Sequence, residues 1–407
     1  MNSDRVSARV PSGDARPSGD NPGRPRVVIF TYRNQTPPST FIQRHVDYIG
    51  YGPDSLMQLA GWSTPQLGSV PLWGRSMPAR LLRRVRSSFG TGKTALHQHA
   101  FAGALRKLKP DAVLAEFGYS GTHIDGVCRR LGIPLVVHFH GTDINRREVF
   151  EQQKEGYRRL GHTAHALITV SQLEKNKLTA AGLPADRIHV IPCGAILPDT
   201  PSAMRPRNPD EPLAFVSTTR MSEVKAPHLV ITAFARFLAS GGQGQLHMIG
   251  DGPLLPFCQS LAKGFSLGDR CIFHGSIPHD AVLRILASAD AYVQHSVVAR
   301  DGDCEGMPVS LMEAAGRGLP IITSAVGGIP EYFTDGESAL LISEYDTAQM
   351  AAAMLRIQQS PELAAALGRH ARNLALQQFD STRQSAAVVD VIRSVMPRHL
   401  KNLIGIH

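Results

Sequence analysis

The sequence contains no run of about 20 apolar residues, which is the length that a helix needs to cross a bilayer. Its first 25 residues also lack the apolar core of a signal peptide. They are rich in Ser, Gly, Pro, Arg and Asp, a composition that predicts a disordered tail over residues 1–25. With 407 residues, 43% of them hydrophobic and 19% charged, the chain is typical of a soluble globular protein with two domains.

Regularly spaced cysteine pairs are absent as well. The cysteines are odd in number and scattered, and they stand at Cys128, Cys193, Cys258, Cys271 and Cys304. This pattern argues against a disulfide framework or a zinc site and favours a reducing compartment. We therefore expect a cytoplasmic protein.

Strand and helix patterns alternate along most of the chain. A first series of short apolar strands starts at Val27–Phe30 and predicts one domain over residues 26–198. Residues 199–211 are rich in Pro, Asp, Ser and Asn and predict a linker. A second series starts at Leu213–Ser217 and predicts another domain over residues 212–380, followed by a last helix within 381–407. Alternation of this kind predicts an α/β protein with two doubly wound parallel sheets.

The most informative stretch runs from Asp290 to Glu331. It reads as a strand, a loop, a helix, a second strand and a Gly-rich turn. The helix is predicted to begin at Pro308, because proline suits the first helical position, and to end near Gly316–Gly318. The next strand is predicted at Pro320–Ser324.

Two glutamates, Glu305 and Glu313, lie on either side of this helix start. The helix N-terminus between them suits an anion such as a diphosphate, whereas ionised carboxylates suit hydroxyl groups. A diphosphate with hydroxyls at both ends describes a nucleotide sugar. The alternative is an ordinary crossover helix whose glutamates reach solvent. It is less favourable because Glu313 has mainly apolar neighbours in the sequence, where an unpaired carboxylate would be costly.

The motif around these glutamates resembles that of a known enzyme family. The run EGMPVSLMEAAGRGLPIITSAVGGIPE is similar to the signature of the family-4 retaining glycosyltransferases, which have the GT-B fold. The segment VVARDGDCEGMPVSLMEA resembles the bacterial exopolysaccharide and colanic-acid-type members. The resemblance covers about Arg26 to Val395. It implies two Rossmann-like domains that face each other across a cleft, with the last helix returning to the first domain.

Two basic residues, Arg220 and Lys225, follow the first strand of the second domain, and ligands of open α/β sheets gather at such strand ends. Arg220 can form two bonds to phosphate oxygens, and Lys225 adds a compact positive charge. Basic loop residues are also common on a solvated surface. The resemblance implies that both bind the donor diphosphate, beside the backbone of Gly306 and Met307. It also implies that Gly250 belongs to the nucleotide site, although a tight structural turn would explain this glycine equally.

The resemblance also assigns catalytic residues. It makes Glu305 the residue that orients the donor sugar and Glu313 the ligand of the ribose hydroxyls. It makes His140 a second catalytic residue, which faces the donor sugar from the first domain. Taken alone, a histidine at the end of a strand is more often structural. Glu116 departs from the family pattern, since many relatives carry histidine there, and it leaves the chemistry of the acceptor side open.

Two short segments imitate other sites. Gly90–Thr94 resembles a phosphate-binding P-loop, but Ser87 replaces the required first glycine and no strand precedes the segment. Asp301–Gly302–Asp303 imitates the metal-binding motif of the other glycosyltransferase fold. We expect no metal there, because Arg220, Lys225 and the helix dipole already supply positive charge.

A basic stretch covers residues 80–109, with eight Lys or Arg and no acid. A basic amphipathic segment can lie on anionic lipid headgroups, and a solvated helix face is an equal alternative. Acceptors in related polysaccharide pathways are often linked to polyprenyl diphosphate, which favours peripheral contact with the inner face of the cell membrane. The net charge of +9 also indicates acidic partners without identifying them.

The sequence therefore predicts a metal-independent retaining glycosyltransferase in polysaccharide biosynthesis. Its expected partners are a nucleoside-diphosphate sugar donor and a glycan or polyprenyl-diphosphate-linked acceptor. No cofactor and no nucleic acid are expected. The alternatives are a nucleotide-sugar epimerase of the same fold and a catalytically silent subunit that binds a nucleotide sugar or a lipid.

Overall fold

The computed structural model describes residues 25–32, 40–50, 55–60, 64–68, 70–72, 92–201 and 211–396. Several predictions concern residues outside these ranges. They are the tail over residues 1–25 (apart from residue 25), residues 80–91 of the basic stretch, residues 202–210 of the linker and residues 397–407 after the last helix.

The first domain is built on a mostly parallel sheet. Its described strands are β1 (Val27–Thr31), β2 (Leu56–Ala60), β3 (Thr64–Leu67), β4 (Val70–Pro71), β5 (Ala112–Glu116), β6 (Leu135–His138), β7 (Ala166–Thr169) and β8 (Ile188–Val190). They lie in the order β4-β3-β2-β1-β5-β6-β7-β8. The described helices are α1 (Thr40–Tyr48), α2 (Gly92–Leu108), α3 (Gly118–Leu131), α4 (Thr142–Asn145), α5 (Arg147–Thr163) and α6 (Gln172–Ala180).

The central strands of this sheet are apolar along their length because helices cover both faces. The segments VVIFT, AVLAE, LVVH and ALIT of β1, β5, β6 and β7 are buried at every position. The parallel register places Glu116 at the end of β5 beside His138 at the end of β6. The antiparallel strands β3 and β4 were not predicted, because segments of four and two residues are too short to show a period of two.

The second domain is built on a fully parallel sheet. Its described strands are β9 (Leu213–Thr218), β10 (Gly244–Ile249), β11 (Cys271–Gly275), β12 (Ala291–Gln294), β13 (Ile321–Ser324) and β14 (Leu340–Ile342). Their order is β11-β10-β9-β12-β13-β14, so the chain reverses direction across the sheet between β9 and β12. Ligands of doubly wound sheets bind outside the carboxyl ends of strands at such a point.

The helices of this half begin with α7 (Pro227–Ala239), α8 (Leu255–Gly264), α9 (His279–Ser288), α10 (Val309–Gly316) and α11 (Ile329–Tyr332). They continue with α12 (Thr347–Gln359), α13 (Pro361–Gln378) and α14 (Ser381–Val395). Although α14 follows the second domain in the chain, its Val388 and Ile392 belong to the same buried cluster as Val27 and Ile29 of β1. The last helix therefore packs against the first sheet.

Several hydrogen bonds join the two halves beside the cleft. The carboxylate of Glu331 accepts the backbone N–H groups of Gln172 at 2.6 Å and Leu173 at 2.7 Å, at the N-terminus of α6. Asn145 Nδ2 donates to the Cys304 carbonyl at 3.1 Å. A carboxylate at a helix N-terminus is favourable because the helix dipole is positive there. The first domain thus contacts the loop before α10 directly.

The buried Glu174 carboxyl on α6 lies at this contact and makes stability depend on pH. Burial, together with the Asp143 carboxylate, raises the pKa of Glu174 to about 8, although the N–H of Val170 that it accepts favours the charged form. In an unfolded chain the pKa of a glutamate is about 4.3. Between these values the folded state keeps a proton that the unfolded state loses. This stabilisation is complete below about pH 4 and is lost as the pH rises through about 8.

We expect Glu174→Gln, which cannot ionise, to escape this loss. We compare the free energy of unfolding of this variant with that of the wild type at each pH. The difference, variant minus wild type, is expected to be at least about 1 kcal/mol larger at pH 8 than at pH 5. Urea titrations at the two pH values measure the difference, with Glu337→Gln, a change of an exposed glutamate, as the control. A difference that does not vary with pH would contradict the raised pKa.

Candidate functional site

The central element of the site is the loop before α10, residues 301–308, which we call the Glu305 loop. The helix itself covers Val309–Gly316. Pro308, which the sequence predicted as the first helical residue, therefore directly precedes the helix. Pro308 has ψ 127°, an extended value, and therefore serves as the N-cap residue. The strand after the helix, β13, lies within the predicted segment.

A turn formed by Gly327 and Gly328 supports the Glu305 loop. The backbone N–H of Gly328 donates to the Glu305 carbonyl at 3.0 Å. Gly327 has φ 62°, and a Cβ on it would overlap the carbonyl oxygen of Glu305. A Cβ on Gly328 would likewise overlap the carbonyl oxygen of Gly306. Only glycine allows the two backbones to approach this closely, so this turn fixes the position of the loop.

Lys225 and Glu305 form an ion pair. Lys225 Nζ lies 2.7 Å from Glu305 Oε1, and their side chains are 16% and 10% exposed. Lys225 ends a short 3-10 helix, Glu223–Lys225, that follows β9. The structure therefore brings together two residues that the sequence assigned to the same donor. Nearby, burial raises the pKa of Asp303 to about 6, and the Glu305 carboxylate contributes to the rise.

A cavity of about 440 Å³ opens beside this ion pair, at the carboxyl ends of β9 and β10. It is lined by residues from the β9 and β10 loops, from the segment after β11 and from the start of α10: Thr218, Thr219, Arg220, Lys225, Ile249, Gly250, Asp251, Ser276, Ile277, Val282, Val309 and Ser310. The predicted residues Arg220, Lys225 and Gly250 thus line the same cavity.

The backbone at Gly250 requires a glycine for a structural reason. Its φ is 127°, and a Cβ there would overlap the carbonyl oxygen of Thr219 in the neighbouring loop. The glycine therefore lets the β9 and β10 loops meet at the cavity.

Gly306 and Met307 belong to the Glu305 loop and directly precede Pro308. Both residues are buried, and among the described residues no hydrogen bond engages their N–H groups. They precede the N-terminus of α10, where the helix dipole is positive. A Cβ on Gly141 would lie 4.0 Å from Gly306 N, so the His140–Gly141 loop of the first domain faces this backbone across the cleft.

Glu313 lies in the second turn of α10 and is buried. Its Oε1 is 3.4 Å from His279 Nε2 and 4.0 Å from Arg44 Nη2. Burial raises the pKa of Glu313, and the charges of His279, Arg44 and Arg317 oppose the rise. Arg44 comes from α1 of the first domain and also donates to the Gly194 carbonyl. The sequence did not single out Arg44, because one arginine in a distant helix gives no local signal.

His140 lies at the end of β6, opposite the Glu305 loop. Its Nε2 is 2.6 Å from Glu116 Oε2 and its Nδ1 is 3.8 Å from Cys193 Sγ. The rings of Phe41 and Phe117 pack against it, with centroids 4.3 and 5.0 Å away. Its side chain is only 2% exposed, so the backbone of this residue, not its ring, borders the cleft. Contact between the ring and a donor sugar stays a prediction.

Asp301 and Asp303 do not present free carboxylates side by side. Asp301 Oδ2 accepts from Arg146 Nε at 2.9 Å, and its Oδ1 accepts the backbone N–H of Asp303 at 3.0 Å. The Asp303 N–H lowers the pKa of Asp301, and Arg146 adds to this effect. These contacts tie the start of the Glu305 loop to the first domain.

Within the described ranges, no helix is both long enough and apolar enough to span a bilayer.

Family comparisons cover both halves of the chain. Residues 64–197 match the family described as Glycosyltransferase Family 4, and residues 202–374 match Glycosyl transferases group 1. The chain is 34% identical over 275 residues to the amylovoran biosynthesis glycosyltransferase AmsK of Erwinia amylovora, in an alignment that covers 67% of each chain. It is 31% identical over 247 residues to the putative colanic acid biosynthesis glycosyltransferase WcaL of Escherichia coli K12, in an alignment that covers 60% of each chain.

Solved structures agree on the fold. The crystal structure of Anabaena Alr3699/HepE in complex with UDP superposes with a TM-score of 0.69 at 17% identity, over 91% of this chain and all of that one. The apo form of the lipopolysaccharide outer core galactosyltransferase WaaB gives a TM-score of 0.65 at 16% identity, over 91% of this chain and 99% of that one. The predicted GT-B fold and the predicted family are both confirmed: the chain is a glycosyltransferase and belongs to the family-4, group 1 glycosyltransferases.

Proposed function

We propose that this glycosyltransferase moves a sugar from a nucleoside-diphosphate sugar to a glycan or lipid-linked saccharide, with retention of configuration. The observation that carries the proposal is the cavity in which Arg220 and Lys225 meet the start of α10. Two cations and a helix N-terminus suit a diphosphate. The relatives named for amylovoran and colanic acid biosynthesis support a role in exopolysaccharide synthesis. The UDP bound to HepE supports a nucleotide ligand for this fold.

Negative charge grows on the diphosphate as its bond to the sugar breaks. In this proposal Arg220, Lys225 and the N–H groups of Gly306 and Met307 stabilise that charge, which is the largest usual contribution in such sites. These groups supply the positive charge in place of a metal ion. The Asp301 carboxylate supports this assignment, because Arg146 and a backbone N–H already engage it.

The two glutamates bind opposite ends of the donor in this scheme. Glu305 lies beside the diphosphate subsite, 2.7 Å from Lys225 Nζ, and orients hydroxyls of the donor sugar. Glu313 lies farther along α10 and binds ribose hydroxyls. The acceptor oxygen attacks from the face that the diphosphate leaves. The C–O bond to the diphosphate breaks, the new C–O bond forms and a diphosphate oxygen takes the acceptor proton. No side chain of the protein acts as nucleophile.

In this proposal the acceptor binds the first domain, and the facing of the His140–Gly141 loop and the Glu305 loop supports this assignment. His140 keeps its proposed place on the sugar side of the cleft. An acceptor linked to polyprenyl diphosphate remains a prediction from the sequence. Peripheral contact with anionic lipid also remains a prediction, because the arginines among residues 80–86 lie outside the described ranges.

The proposal is tested by incubating the protein with a panel of nucleoside-diphosphate sugars, with and without saccharide acceptors. A transferase releases nucleoside diphosphate and forms a larger glycan only when acceptor is present. An epimerase would change the sugar of the donor without acceptor, and a silent binding subunit would do neither. A thermal-shift screen selects the donor beforehand, since a ligand that binds the folded state raises Tm.

Arg220→Ala tests the diphosphate subsite. A hydrogen bond to a charged group contributes roughly 1.5–3 kcal/mol, so we expect kcat/KM for the donor to fall at least about tenfold. Binding of free nucleoside diphosphate, measured by calorimetry, is expected to weaken as well. Arg236→Ala on the exposed side of α7 is the matched control and is expected to leave both quantities unchanged. Wild-type kinetics in Arg220→Ala would remove this residue from the donor site.

Exchange of each glutamate for glutamine separates their roles. Ribose hydroxyls change little during the reaction, so Glu313→Gln is expected mainly to raise the donor KM and to weaken binding of free nucleoside diphosphate. The sugar ring gains positive charge in the transition state, so Glu305→Gln is expected to lower kcat while free nucleoside diphosphate still binds. Steady-state kinetics and calorimetry measure both, on variants with matched Tm. The reverse pattern would mean that the two ends of the donor are exchanged.

A further inference from the structure

A buried cluster of three histidines and one glutamate lies at the carboxyl ends of β5 and β6. The two oxygens of Glu116 contact different rings: Oε1 is 2.6 Å from His45 Nδ1, and Oε2 is 2.6 Å from His140 Nε2. His138 lies farther away, with its Nδ1 4.0 Å from Oε2. The cluster joins α1, through His45, to the loop that faces the sugar side of the cleft.

Glu116 cannot touch a substrate in this arrangement. Its side chain is 0% exposed, and both of its oxygens are engaged by histidines. Burial alone would raise the pKa of Glu116, but His45 and His140 outweigh burial and hold that pKa well below its usual range. The carboxylate is therefore ionised, and any effect that it has on the reaction must pass through the rings that it contacts.

His140 transmits such an effect to the cleft. Its ring is bound by Glu116, and its backbone N–H donates to Asp143 Oδ1 at 3.0 Å. The next residue, Gly141, faces the backbone of Gly306. A change in the ring position would therefore move the loop opposite the Glu305 loop.

A metal centre is the competing explanation of the cluster. The ligand atoms of His45, Glu116 and His138 lie within 4.8 Å of one another. Both ring nitrogens of His138 are buried and have no hydrogen-bond partner among the described residues. The short contacts of both Glu116 oxygens are instead those of charge-assisted hydrogen bonds to imidazole, and they favour a hydrogen-bonded cluster.

We propose that Glu116 is a positioning residue for glycosyl transfer, which holds the His140 ring and thereby shapes the sugar side of the cleft. This inference rests on the proposed function and deepens it. A misplacement of about 1 Å caused far from the reacting atoms can lower a rate by roughly 100-fold, so loss of this contact is expected to lower activity by roughly 10–100-fold. The diphosphate subsite belongs to the other domain, so Glu116 affects turnover and not the affinity for nucleoside diphosphate.

The test compares Glu116→Gln, His140→Ala and the double variant, with Asp125→Asn as control. Asp125 is also a buried carboxylate of the first domain. Its Oδ2 lies 3.6 Å from Arg159 Nε, away from the cluster. We expect Glu116→Gln to lower kcat at least about tenfold while the affinity for free nucleoside diphosphate stays within about twofold. In the His140→Ala background the same change is expected to lower kcat by less than about twofold, because residues that act as a unit are not additive. Asp125→Asn is expected to keep the wild-type kcat.

Glu116→Asp provides a second route if Glu116→Gln does not fold. It keeps the charge but withdraws the carboxylate by one methylene, so the same loss of kcat is expected. A wild-type kcat in a folded Glu116 variant, or independent losses in the double variant, would overturn the proposal. A stoichiometric transition metal in the wild type that disappears from Glu116→Gln, measured by elemental analysis, would also overturn it in favour of a metal centre. If the wild type itself transfers no sugar, the proposed function fails and this inference fails with it.

Discussion

The close packing of two backbone segments is the constraint on which the site depends. The Gly327–Gly328 turn contacts the carbonyl groups of Glu305 and Gly306 so closely that a Cβ at either glycine would overlap them. This contact fixes the residues before α10, and with them the direction of the helix N-terminus. Glu305 then meets Lys225 from the β9 loop, although the two belong to separate crossovers of the sheet. The backbone contact therefore sets the position of the loop that carries Glu305.

Four buried glutamates near the cleft differ in what surrounds them. Glu305 pairs with a lysine, Glu313 lies among His279, Arg44 and Arg317, and Glu116 lies between two histidines. Glu174 has mainly backbone and amide partners, and its pKa is raised. Because a carboxylate takes its properties from its neighbours, one residue type occupies four different electrostatic environments in one region of the fold.

The two domains are in contact beside the cleft through polar groups on short segments. Glu331 of the second domain accepts N–H groups at the start of α6, and Asn145 of the first donates to the Glu305 loop. Arg44 adds a longer contact to Glu313. Within the described ranges these hydrogen bonds and ion pairs are polar contacts, unlike the apolar cores within each sheet.

The sequence by itself determined the two alternating series of strands and helices, because buried parallel strands are short apolar runs bounded by turns. It also determined the local motif around Glu305 and Glu313, whose residues lie on one loop and one helix. The tertiary structure alone decided which distant residues meet. His45 and Glu116 are 71 positions apart, and Gln172 and Glu331 are 159 apart. The contact of Arg44 with Glu313 and the enclosure of the His140 ring have the same origin. Such pairs depend on how helices pack against sheets and domains against each other, and local periodicity carries no information about that packing.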